Sequence, residues 1–199
     1  MPVLLPYTYL GPIHFYSRIK EDKRVVLERH EHFRKQTFRN RCTIYGANGA
    51  LDLTVPTLHL SGERSMDIRE ISYTNDWQKL HWKSLESAYR SSPFFEYYED
   101  EFAAKLMNKY TLLRALNRDL MELALRIMDI DFEITETLSY EDNFSGTDLR
   151  DIYTPKSELM TGQSFKRYPQ VFEDRHGFIP NLSIWDLIFN QGPRSKEFL

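Results

Sequence analysis

The chain has 199 residues, 41% hydrophobic and 28% charged, with 26 Lys and Arg against 29 Asp and Glu for a formal net charge of −3. That length allows a buried core in one domain over 1–199, and the near-balance of charge excludes a nucleic-acid binder held by bulk electrostatics. The single cysteine, Cys42, excludes an internal disulfide and a cysteine metal site and points to a reducing compartment.

Val3-Leu4-Leu5 reads as a short buried strand that ends in the Pro- and Gly-punctuated loop Pro6 to Pro12. Pro12 opens a helix over Ile13 to Asp22, where its missing N–H costs nothing, and Arg24 to Leu27 is a second β run. Strand, loop, helix and strand open a βαβ unit. Ligands of such units bind where the first strand meets the first helix. Tyr7, Tyr9 and His14 are therefore expected at the mouth of a cleft, although a lone histidine in a first helical turn is more often structural.

The segment His30 to Arg41 packs His30, Glu31, His32, Lys35, Arg39, Asn40 and Arg41 close together. The turn Gly46-Ala47-Asn48-Gly49 follows, and Asn and Gly tolerate the positive φ of tight hairpin turns. Arg39 to Ile44 is thus expected to pair with Leu51 to Val55. Cations and imidazoles on a rigid arm suit a site; they equally suit a solvated strand edge guarded against pairing. Cys42 in this run reads as a small buried hydrophobe. His30-x-His32 lacks the carboxylates or spacing of a strong metal pair, so no metal is assigned.

Leu58 to Ser65 is a polar loop, and the alternation of Ile68 to Tyr73 predicts a strand. Asn75 stands three residues before Gln78, a capping-box spacing that starts a helix over Trp77 to Arg90. Trp77, His81 and Leu85 share a face of it, which makes His81 a core histidine unless a cavity lies beside it. Ser91-Ser92-Pro93 ends the helix, and the aromatics from Phe94 to Tyr98 pack the next one. Tyr110 to Met128 carries Leu113, Leu116, Leu120, Leu123 and Ile127 in one apolar stripe, a scaffold helix. Phe132 to Leu138 alternates as a strand. Asp142 to Gln163 is weakly patterned and reads as a long lid or binding loop. Ser183 is expected to N-cap a helix with Asp186 three residues on, and capping explains both; Gly192-Pro193 stops it. There is no P-loop, Gly-x-Gly-x-x-Gly or nucleophile elbow, so no cofactor is assigned. No signal-peptide pattern and no apolar run near the ~20 residues of a membrane span are present, so a cytoplasmic location is expected.

These readings give an α/β fold: a partly parallel sheet with flanking helices, a β-hairpin arm and a C-terminal helix. Four blocks then resemble the WbqC-like protein family of bacteria. They are PYTYLGPIHFYSRI, HEHFRKQTFRNRCTIYGANGALDLTVP, NDWQKLHWKSLESAYRSSPFFEYY, and YPQVF with GFIPNLSIWDLIFNQGP, in the family's order across nearly the whole chain. Lys35 and Arg39-Asn40-Arg41 are similar to the family's lysine followed by Asn-Arg. Leu4-Leu5 stand where the family's opening has Met-Gln, and the loop of 142–163 replaces extra strands of longer members. The resemblance implies a setting in surface-polysaccharide (O-antigen) synthesis and a group transferase that adds an amino-acid or acyl group to a sugar. A phosphate-bearing partner, such as a nucleotide- or lipid-linked sugar, would suit Lys35, Arg39 and Arg41. His30 or His81 would take a proton from the attacking group, and Asn40 would orient a carbonyl. One cleft is expected, lined by Tyr7, His30, Lys35, Arg39, Asn40, Arg41 and His81 and closed by the segment from Tyr168 to Asn181. The competing reading is a non-catalytic module that binds a small molecule or positions a partner.

Overall fold

The computed structural model describes residues 1–22, 24–58, 65–154 and 164–199. Four parallel strands form the central sheet in the order β5-β2-β1-β6: β1 is Val3–Pro6, β2 Arg24–Glu28, β5 Glu133–Glu136 and β6 Thr147–Asp148. Strand β1 is buried along its whole length, as its unbroken Val-Leu-Leu requires of a central parallel strand covered on both faces. Helix α1, Ile13–Asp22, connects β1 to β2 and buries Ile13, Phe15, Tyr16 and Ile19. The register sets Leu4 opposite Val26 on one side and Asp148 on the other. Strand β6 lies inside the segment expected to be a plain loop, because Leu149 N also donates to Leu4 O and the exposed edge of β1 is thereby paired. Residues 155–163 of that loop lie outside the described residues.

The expected hairpin forms. Strands β3, Arg41–Gly46, and β4, Gly49–Thr54, pair antiparallel with Gly46 opposite Gly49. Ala47-Asn48 is the two-residue loop, and Gly49 takes φ +101°, which a side chain would resist. The hairpin is not a free arm. The Tyr45 hydroxyl donates to Gly177 O at 2.6 Å, and His176 Nε2 meets Ala47 O at 2.9 Å. Arg39 precedes the ladder, and Asn40 only extends it through the bond from Val55 N.

Helices α2 (Trp77–Tyr89), α3 (Phe95–Met107) and α4 (Leu113–Ile127) pack the remaining core. The apolar stripe of α4 is buried as expected, and the aromatic core includes Phe102 and Trp185 with ring centroids 4.2 Å apart. Two expectations fail here. Among the described residues Ile68 to Tyr73 makes only single bridges, Glu70 with Leu112 and Ile71 with Thr57, with no strand running alongside it. The Asn75–Gln78 capping box is absent: Gln78 instead donates to Leu106 O and Asn108 O at 2.7 and 2.8 Å, fastening α2 to the end of α3.

The short α5, Glu173–His176, precedes α6, Ile184–Gln191, and a 3₁₀ turn over Gly192–Phe198 ends the chain. Ser183 N-caps α6 through the Trp185 N–H, as expected. Asp186 does not cap. It is fully buried and accepts hydrogen bonds from the hydroxyls of Tyr89 and Tyr168 and the amide of Gln170. Burial pushes its carboxyl up to about 6 even against those three donors.

Candidate functional site

At the carboxyl ends of the parallel strands a layer of buried ion pairs supports a cavity. Glu28, the last residue of β2, is 0% exposed and accepts four hydrogen bonds. They come from His30 N at 2.8 Å, Thr137 Oγ1 at 2.7 Å, Glu141 N at 3.2 Å and Arg150 Nη1 at 3.0 Å. One carboxylate thus fixes the loops that leave β2, β5 and β6. Arg150 is held further by Asp148 at 2.6 Å and by Glu141 O at 2.7 Å. Beside it the buried Arg39 forks onto Glu31, with Nε–Oε1 at 2.7 Å, and donates to Arg150 O at 3.2 Å. Burial raises the Glu31 carboxyl above its ordinary value although Arg39 opposes the shift. A nearby second network holds Tyr7, whose hydroxyl donates to Glu136; Arg118 and Arg29 also reach that carboxylate, at 2.7 and 3.4 Å. Burial alone would raise Glu136, but the bonds from Tyr7 and Arg118 outweigh it and lower its pKa. Tyr7 itself is driven up, first by burial and then by Glu136.

The cavity above this layer has a volume of about 310 Å³ and is lined by His30, Glu31, His32, Arg34, Tyr140, Arg150 and Asp151. In an open parallel sheet such a crevice is where ligands bind. Neither the His30 nor the His32 imidazole has a side-chain partner among the described residues. Arg34 spends one nitrogen on Asp151 at 2.5 Å, an exposed pair, and among the described residues its other donors have no partner. Tyr140 is 48% exposed, and the Arg150 guanidinium lies 4.7 Å from its ring centroid. Among the described residues no cluster of three or more His, Cys, Asp or Glu could hold a metal ion.

The residues picked from sequence separate. His30 lines the cavity. Lys35 is exposed beside Arg34 but outside the lining. Arg39 lies beneath it, spent on Glu31. Asn40 donates to Val55 O at 2.9 Å and closes the base of the hairpin. Arg41 lies on the outer face of the hairpin, 3.3 Å from Asp52. His81 is 2% exposed, with Nδ1 2.8 Å from the Tyr9 hydroxyl, and lines a different cavity with Asp52, Trp77 and Leu80. Burial lowers it to about 4, opposed by a bond to the Thr54 backbone, so the ring is neutral near pH 7. Tyr168 serves Asp186. Asn181 Oδ1 accepts from His14 N at 3.0 Å and caps α1 across the chain. The single cleft expected from sequence is therefore not formed. Two of its cations are claimed by carboxylates, Arg39 by Glu31 in the same segment and Arg41 by Asp52 on the facing strand of the hairpin. Tyr7 and Tyr9 do not line a mouth, because Tyr9 N bonds Phe38 O at 2.7 Å and the loop after β1 is covered. His14 lines a third hollow with Arg18 and Lys166.

Sequence reading passed over Glu28, Tyr140 and Arg150. Glu28 had a signal: a carboxylate closing the buried run Arg24 to Leu27 must find partners. Tyr140 and Arg150 lie around the weakly patterned loop and offered none.

The sequence model of the WbqC-like protein family matches residues 2–157. The chain belongs to the WbqC-like protein family. The match contains every residue lining the cavity and stops before the closing block that carries Tyr168, Asn181 and Asp186. The chain is also similar to "Uncharacterized protein Rv1507c" of Mycobacterium tuberculosis (strain ATCC 25618 / H37Rv). That similarity is 28% identity over 193 residues, covering 84% of this chain and 83% of the relative. No solved structure matches the chain. Among the described residues no helix is long and apolar enough to cross a membrane.

Proposed function

We propose that this WbqC-like chain is a group transferase that moves an acyl or aminoacyl group onto a phosphate-linked sugar, in the surface-polysaccharide setting implied by its resemblance. The observation that carries the reading is the pair of unpartnered imidazoles, His30 and His32, over a cavity at the carboxyl ends of a parallel sheet. In this reading His30 takes the proton of the sugar amine or hydroxyl as that group attacks the carbonyl carbon of the donor, a thioester or aminoacyl ester. The new C–N or C–O bond forms, the bond from the carbonyl to the leaving group breaks, and the imidazolium returns its proton to the departing thiolate or alkoxide. His32 and the open nitrogens of Arg34 hold the phosphate. Glu28 keeps His30 and Arg150 in place from below. The cytoplasmic location expected from the sequence belongs to this reading.

One observation favours the second reading, a non-catalytic binding module. Arg39 and Arg150 are held by carboxylates and backbone carbonyls, so the charged layer acts first as a frame. Turnover separates the two. A thermal-shift screen of nucleotide sugars, acyl-CoA and aminoacyl donors finds the ligands, since a true ligand raises stability by mass action. Mass spectrometry of the sugar then reads transfer. The transferase reading expects a mass gain that His30→Ala abolishes while ligand-induced stabilisation persists. Stabilisation without any transfer, equal in wild type and His30→Ala, would leave the binding module.

A further inference from the structure

We infer that the ligand of this cavity is a nucleoside diphosphate or its sugar ester, a soluble carrier rather than a lipid-linked one, with its base stacked on Tyr140. The inference rests on the anion-binding reading of the cavity given above and narrows it.

Three observations converge on Tyr140. The ring is half-exposed although it lines a concavity, so its surface is open to a ligand. One face is backed by the Arg150 guanidinium at 4.7 Å, a cation–π contact that leaves the other face as the platform. The backing is rigid. Arg150 Nη1 bonds the fully buried Glu28 at 3.0 Å, and its Nε and Nη2 bond Asp148 at 3.0 and 2.6 Å. A ring so fixed is already positioned for stacking, which lowers the ordering cost of binding. Base–aromatic stacking tolerates every base because each has a π-face.

The rest of the described lining supplies what a diphosphate requires. His30, His32 and Arg34 offer donors with no intramolecular claim or only a partial one. Among the described lining residues there is no Leu, Ile, Val, Phe or Met, so a polyprenyl tail would meet charged groups there. A volume of about 310 Å³ lies within the range of ligand pockets.

Calorimetric titration of UDP, ADP and inorganic pyrophosphate into wild type, Tyr140→Ala and Tyr140→Phe tests the inference. Thermal unfolding first confirms that both variants fold. Wild type is expected to bind at least one nucleotide about tenfold tighter than pyrophosphate, within the range of stacking contributions. Tyr140→Ala should erase that preference and leave pyrophosphate affinity unchanged, and Tyr140→Phe should retain it. Pyrophosphate binding with no nucleotide preference, or a preference that survives Tyr140→Ala, would overturn the nucleotide assignment while leaving the anion site standing. Binding of neither would overturn both.

Discussion

Replacing Arg39 by Met removes a guanidinium that is 0% exposed and leaves Glu31, itself 6% exposed at the side chain, without its charged partner. Breaking a buried pair from one side costs ~3–5 kcal/mol, because the surviving charge stays desolvated. For a chain of this size that is a fall in Tm of about 6–20 °C. The pair as a whole is worth far less. Burial raises the Glu31 carboxyl more than Arg39 lowers it, so desolvation outweighs attraction on that side of the pair. Glu31→Leu combined with Arg39→Met should therefore recover at least half of the loss, about 2 kcal/mol relative to Arg39→Met alone, and the double variant should cost well under the sum of the two singles. Urea unfolding followed by fluorescence of Trp77, Trp82 and Trp185 measures all four species. If Arg39→Met costs under about 1 kcal/mol, or if the double variant merely sums the singles, the structural role given to this pair is wrong. A phosphate-binding Arg39 would instead lose ligand affinity at unchanged stability.

Two further outcomes follow from groups outside the cavity. Asp186 has a folded pKa of about 6, raised from 3.8. The folded state holds the proton more tightly than the unfolded chain, so the stability due to this group is fully present below about pH 4 and is lost as pH rises through about 6. At 1.36 kcal/mol per unit, wild type should gain ~3 kcal/mol relative to Asp186→Asn as pH falls from 7 to 4 in paired urea titrations; a constant difference would refute the raised pKa. Asn181 caps α1 at φ +55°, so Asn181→Ala should cost ~1–2 kcal/mol from the lost acceptor and the strained backbone, and Asn181→Gly less. Equal costs would remove the backbone part of that account.

The elements that could be read from sequence are those with a local cause. Val3-Leu4-Leu5, the stripe of α4 and the turn Gly46-Ala47-Asn48-Gly49 carry periodicity or turn chemistry in a few residues, and each lies where expected. Ile68 to Tyr73 had the period of a strand, but a strand also needs a neighbour, which no window of sequence displays. The spacing of Ser183 and Asp186 matched a cap, yet the carboxylate turns to Tyr89, 97 positions away. The site divided in the same way. His30, singled out in the dense cluster from His30 to Arg41, lines the cavity. Of the partners that remove Arg39, Arg41 and His81 from it, Glu31 and Asp52 are near in the chain but their burial and pairing are set by packing, and Tyr9 is brought to His81 from 72 positions away.

A crystal structure of the protein soaked with a nucleotide sugar tests the location of the site most directly. The account predicts the diphosphate within hydrogen-bond distance of His30, His32 or Arg34 at the carboxyl ends of β2, β5 and β6. Density for the ligand instead beside His81 and Trp77, or in the hollow lined by His14 and Lys166, would contradict it.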